Sequence, residues 1–148
     1  MSAAKIFIRR TLISHTDAPV IIIRLSVGLI FLSEGIQKFL FPESVGAGRF
    51  AKIGLPMADA LGPFVGSFEI VCGFLILVGF LTRIAAIPLI IVMMTALSTT
   101  KLPILLNDGF WKMAHSSRTD FSMLLSLIFL LIVGSGYASL DKIVWKKE

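Results

Sequence analysis

Seven side chains in this sequence have the types and spacing to bind a polar group or move a proton: Glu34, Gln37, Lys38, Glu69, His115, Arg118 and Asp120. Glu34 and Lys38 are four residues apart. On a helix that spacing brings a carboxylate and an ammonium together, in the favoured order. Glu69 is the sole ionisable residue in a long apolar run, and His115, Arg118 and Asp120 sit in the polar stretch before another. An acid held near a histidine and an arginine can relay protons or hold a polar headgroup. Arg24 and Arg83 fall at the far ends of their runs and are expected to be structural charges, fixing topology or reaching headgroups.

These residues stand out because of what surrounds them. Of 148 residues, 56% are hydrophobic and only 16% charged. Mean hydropathy is +0.92. Such values exclude a disordered chain and a soluble domain of ordinary composition, and leave an integral membrane protein. The net charge of +5 is scattered between apolar runs and forms no dense basic patch. The expected partner is therefore the lipid bilayer with its anionic headgroups, and no nucleic acid is expected. Cys72 is the single cysteine, so an internal disulfide, a CxxC pair and a thiolate zinc site are excluded.

The fold predicted is all-α, a four-helix transmembrane up-and-down bundle with spans at about 20–40, 61–81, 84–100 and 121–140. The whole chain, 1–148, reads as a single membrane domain. Residues 1–18 interleave Lys5, Arg9 and Arg10 with apolar side chains, which suits a segment lying in the headgroup region. No cleaved leader is expected, because the first long apolar run is a full span. Residues 79–83 make a tight turn between the second and third spans. The two long connections then share one side, and both termini share the other with the turn. The terminal side carries seven Lys and Arg against five on the long-loop side. That bias predicts cytoplasmic termini in a bacterial plasma (inner) membrane.

Helical spacing places Arg24, Gly28, Phe31, Gly35 and Lys38 on one stripe of the first span, with Glu34 beside it. Gly62, Gly66, Glu69 and Gly73 share a face of the second, and glycines there let another backbone approach closely. They equally suit a homo-oligomer, as do Gly134 and Gly136. At 1.5 Å per residue, Glu34 lies about 9 Å, Lys38 about 3 Å and Glu69 about 12 Å below the long-loop side. Thr119 or Asp120 is the expected N-cap of the fourth span, with His115 and Arg118 folding over the bundle's mouth. All seven candidates are thus expected in one polar pocket there. Trp111 and Trp145 read as interfacial anchors. A bis-histidine haem is not expected, since His15 and His115 fall on opposite sides.

Several stretches resemble DoxX-family membrane proteins. Residues 24–28 and 35–39 are similar to that family's first helix, and Gly54-Leu55-Pro56 to its first loop. Residues 69–73 and 79–83 resemble its second helix and turn, and 134–141 its closing segment. Phe110-Trp111 and residues 115–121 are similar to one subgroup. The resemblance implies a four-helix membrane protein, in a family named for a subunit linked to quinone-dependent respiration. The function expected is a quinone-linked redox protein, or the membrane subunit of an oxidoreductase complex. A quinone would sit in the polar pocket, and a redox partner protein would supply electrons. A small-solute carrier and a docking protein for a soluble redox enzyme are the alternatives.

Overall fold

The computed structural model describes residues 19–145. The expected interfacial segment 1–18, His15, and the side chain of Trp145 lie outside the described residues. Within them the chain is helical, with no strand, and four helices are long and apolar enough to cross a membrane.

The first, α1 (Val20–Leu40), has the predicted bounds. Pro19 fixes its start. Phe41 ends it, because a residue preceding Pro42 is disfavoured in the helical region. The first long connection contains two short helices, α2 (Pro42–Val45) and α3 (Ala47–Lys52). The second span, α4 (Ala58–Val78), begins and ends three residues ahead of the prediction. Residues 79–81 form the tight turn. Leu81 takes a left-handed conformation with φ of 50°, and Asp141 Oδ1 accepts its backbone N–H at 2.9 Å.

The third and fourth spans correct the sequence reading. The third was expected to stop at residue 100. It instead runs unbroken from Thr82 to Asp108, as α5 (Thr82–Ala96), a π-helical turn (Leu97–Lys101) and α6 (Leu102–Asp108). Pro103 has no N–H to give the carbonyl one turn back, and a proline ring crowds that carbonyl. The wider π-turn lets the chain absorb it without ending the helix. Ser98, Thr99 and Thr100 donate their hydroxyls to the carbonyls of Met94, Thr95 and Ala96.

Gly109, with φ of 88° and ψ of 171°, makes the break that proline does not. Only glycine adopts that conformation readily. The fourth span, α7 (Phe110–Val133), therefore starts eleven residues earlier than expected and ends seven earlier. Thr119 and Asp120 are inside this helix and are not its cap. A short helix, α8 (Leu140–Trp145), follows.

The most extensive packing is between antiparallel α1 and α4. A Cβ on Gly28 would stand 2.9 Å from the Gly73 carbonyl oxygen, and one on Gly35 would stand 2.7 Å from that of Gly66. Without hydrophobic drive between helices in lipid, small residues that permit such approach are what hold a pair together. The sequence also offers Gly66 and Gly73, or Gly134 and Gly136, as an oligomer surface. Here α1 covers the first two, and Gly136 packs on Val20. A core of Val27, Phe31, Ile76, Leu89, Leu127 and Leu130 joins all four spans. Ile22, Val71, Ile91 and Ile132 face outward, as lipid contact requires.

Gly35→Val should lower stability by about 1–3 kcal/mol, the usual cost of overpacking. Thermal melting in detergent checks it. Ile22→Val, on the exposed face, should melt with the wild type.

Candidate functional site

The α1–α4 crossing also sets the chemistry. Lys38 is three residues past Gly35 and Glu69 three past Gly66. Their backbones are thus separated by about 9 Å along the axes, at 1.5 Å per residue. Helical side chains lean toward their own N-terminus. In antiparallel helices that aims Lys38 and Glu69 at one another. Lys38 Nζ lies 2.6 Å from Glu69 Oε2, with the two side chains 9% and 4% exposed. The sequence pairs Lys38 with Glu34 along one helix, whereas the structure pairs it across helices. Glu34 stays within electrostatic reach of Glu69.

A second ion pair stands on the facing helices. Lys101 Nζ, at the end of the π-turn, lies 3.1 Å from Asp120 Oδ2 and donates to the Ser116 carbonyl at 2.9 Å. Between the two pairs is a cavity of about 540 Å³ on the long-loop half of the bundle. Glu34, Lys38, Glu69 and Asp120 line it, and so do Phe31 and Met123. Four of the seven candidates therefore come together.

The other three do not line it. Gln37 donates to Ser33 Oγ at 2.9 Å on the exposed side of α1. His115 and Arg118 are exposed and bond one another, with Arg118 Nη1 2.6 Å from His115 Nε2. They sit on α7 because that helix starts at Phe110, and they do not fold over the mouth. His115 is about 6 Å beyond Thr119, the first cavity-lining residue of α7. Sequence reasoning missed Arg49 on α3, and Thr95, Thr99 and Thr100, all of which line the cavity. It also missed Lys101 as partner of Asp120. The signal was there in a run of hydroxyl residues within an otherwise apolar span.

Arg24 and Arg83 serve the opposite end. Arg24, 4% exposed, donates to the Ser135 carbonyl at 2.6 Å and reaches the Leu77 carbonyl at 3.4 Å. Arg83 donates to the Ile132 and Val133 carbonyls, which end α7. Asp141, 2% exposed, donates its N–H to the Gly79 carbonyl. Burial pushes its carboxyl up from the ordinary value. The N–H groups of Leu81 and Thr82, the Ser135 hydroxyl and the Arg24 charge oppose that shift. Together these bonds tie residues 134–141 to the turn at 79–81.

The sequence model of the DoxX family matches residues 20–102. An uncharacterized membrane protein of Mycobacterium tuberculosis is 53% identical over 141 residues, covering 90% of this chain and 86% of that protein. CatD of Bacillus subtilis, whose name gives it a provisional oxidoreductase role, is 30% identical over 128 residues, covering 85% of this chain and 87% of that protein. No solved structure matches the chain at comparable significance.

Removing one partner of a buried pair leaves an uncompensated charge, at a cost of about 3–5 kcal/mol. Lys38→Met and Glu69→Gln should each destabilise on that scale. The double variant should recover part of the loss, as coupled neighbours do. A double-mutant cycle on unfolding free energies checks this, and strict additivity would rule out the coupling.

Proposed function

The chain belongs to the DoxX family of membrane proteins, and from that premise we propose that it is a quinone-linked redox protein, or the membrane subunit of an oxidoreductase complex. The observation that carries this reading is the cavity itself. It has the volume of a small-molecule site, its walls are mainly apolar, and ion pairs stand on two of its sides. The name of the Bacillus subtilis relative supports the class of reaction.

A quinone bound here would accept two electrons and two protons and leave as the hydroquinone. The residues present fit such a ring. Lys38 supplies an ammonium donor for its oxygens, while Lys101 holds Asp120 from behind the cavity wall. Glu69 and Asp120 supply carboxylates able to hand over protons and take them back. Glu34 adds a further carboxylate at the same cavity, and Arg49 stands at its long-loop end. The apolar floor of Phe31 and Met123 keeps water from the far half of the bundle. Electrons come from a redox partner protein. His115 and Arg118, outside the cavity, have no role in this scheme.

Organic extracts of the gently purified protein should contain a stoichiometric quinone by mass spectrometry. Glu69→Gln, purified below its lowered melting temperature, should lose most of it. If neither sample holds quinone and a second protein co-purifies, the docking reading replaces this one.

We place the protein in a bacterial plasma membrane with both termini in the cytoplasm. The excess of basic residues on the terminal side supports this orientation, and both relatives are bacterial. Lys146→Cys, in a Cys72→Ser background, should react with an impermeant maleimide only after the cells are opened. Labelling of intact cells would reverse the orientation.

A further inference from the structure

The two helix pairs separate on the long-loop half. On α5, burial is confined to the turn end, at Thr82, Ala85, Ala86 and Leu89. Past Leu89 no residue of the third span is buried, through Asp108. On α4 the buried residues continue to Gly62, but they form the face toward α1 and the α2–α3 segment. So α4 and α5 meet at their turn and part above it, and the cavity occupies the space between.

The edges of that space differ in chemistry. Toward α1 and α7 stand Glu34, Lys38 and Asp120, with Glu69 reaching in from α4. Toward α4 and α5 stand Phe64, Phe68, Ile91 and Thr95. Thr95 gives its hydroxyl to the Ile91 carbonyl and so presents a methyl group. Phe64 is 60% exposed and Ile91 61%, although both line the cavity. The Phe64 and Phe68 rings pack on one another at 4.9 Å between centroids. Ile91 is nine residues from the helix start at Thr82, about 14 Å along the axis. That is close to the middle of a hydrocarbon layer about 30 Å thick, so this edge opens into acyl chains. The end toward the long loops is walled by Val45, Phe50, Ile53 and Leu55, with Arg49 the one charged side chain among them.

We infer that the cavity takes a long-chain amphiphile directly from the lipid phase. Its polar head lies between Lys38–Glu69 and Asp120, and its chain leaves through the gap between α4 and α5. The inference rests on the redox reading for the identity of the head, but not for the path. A lateral gap lined by aromatic and branched side chains gains affinity from every methylene it covers. A ring without a chain forgoes that gain. A water-soluble solute would have to cross the apolar wall beneath α3.

Two measurements test the path, one of them independent of quinone. Ile91→Trp fills the gap from an exposed position and should melt within a few degrees of wild type. In nanodiscs, decylubiquinone should bind the wild type at least tenfold more tightly than the same ring bearing only methyl groups. Ile91→Trp should weaken the decyl compound by fivefold or more and leave the methyl ring unchanged. Equal affinities for the two compounds, or an Ile91→Trp effect on both alike, would overturn the proposal. Separately, a hexadecanol carrying a diazirine beside its hydroxyl should photolabel Phe31 or Met123 in the wild type and not in Ile91→Trp. Labelling of outward Ile22 and Val71 should be the same in both. Unlabelled interior residues in the wild type would also overturn it. Should neither quinone bind the wild type, the redox reading fails, and the photolabel alone decides the path.

Discussion

The close crossing of α1 and α4 is the constraint on which the rest depends. Gly28 against Gly73 and Gly35 against Gly66 bring two backbones together where any larger side chain would collide. In a bilayer this contact replaces the hydrophobic drive that water would provide. It also sets register. Once Gly35 faces Gly66, Lys38 and Glu69 lean into one another from opposite helices. A charge that would be costly alone in hydrocarbon then has a partner at 2.6 Å. Structure and chemistry share one cause here.

The rest of the bundle is joined to that pair through the turn end and the buried core at mid-depth. The turn at 79–81 is fastened to residues 134–141 by Asp141 and Arg24, and Arg83 caps the last carbonyls of α7. The buried core reaches Leu89 on α5 and then stops there. With the turn end fastened and no residue of the third span buried past Leu89, the space between the pairs remains open on the long-loop side. The π-turn at Leu97–Lys101 lies along that open half and delivers Lys101 to Asp120. Pro103, whose missing donor favours the turn, thus helps position the cavity's second ion pair.

Much of this was legible in the sequence. Proline-bounded apolar length gave α1 its ends, and the glycine spacing on α1 and α4 foretold a close helix pair. The depths of Glu34, Lys38 and Glu69 indicated one neighbourhood. What escaped was of two kinds. Polar residues 112–120 look like loop because their composition is hydrophilic. Yet Ser116 and Ser117 return their hydroxyls to the Met113 carbonyl and are content in a helix. The third span reads as ending at residue 100, and only the π-turn shows how the helix continues past Pro103. Partner choice also escaped. Sequence spacing sees Glu34 four residues from Lys38, whereas a long side chain leaning across an antiparallel crossing is set by tertiary register.

The two ends of the bundle differ in what their charges bond to, and that difference separates support from chemistry. Arg24 and Arg83 donate chiefly to backbone carbonyls: Ser135 and Leu77, Ile132 and Val133. A carbonyl neither titrates nor moves without its helix, so such bonds fasten segments and do little else. Lys38 and Lys101 instead face carboxylates on other helices, Glu69 and Asp120, and it is these that line a cavity. A carboxylate can take a proton, and an ammonium can turn from it toward another acceptor. On the reading proposed above, each of these pairs is complete when the cavity is empty and exchangeable when a polar head arrives. Four buried or half-buried cations in so small a bundle would be hard to explain by stability alone. The division of partners sorts them: two bond to backbone carbonyls at the turn end, and two pair with carboxylates that line the cavity.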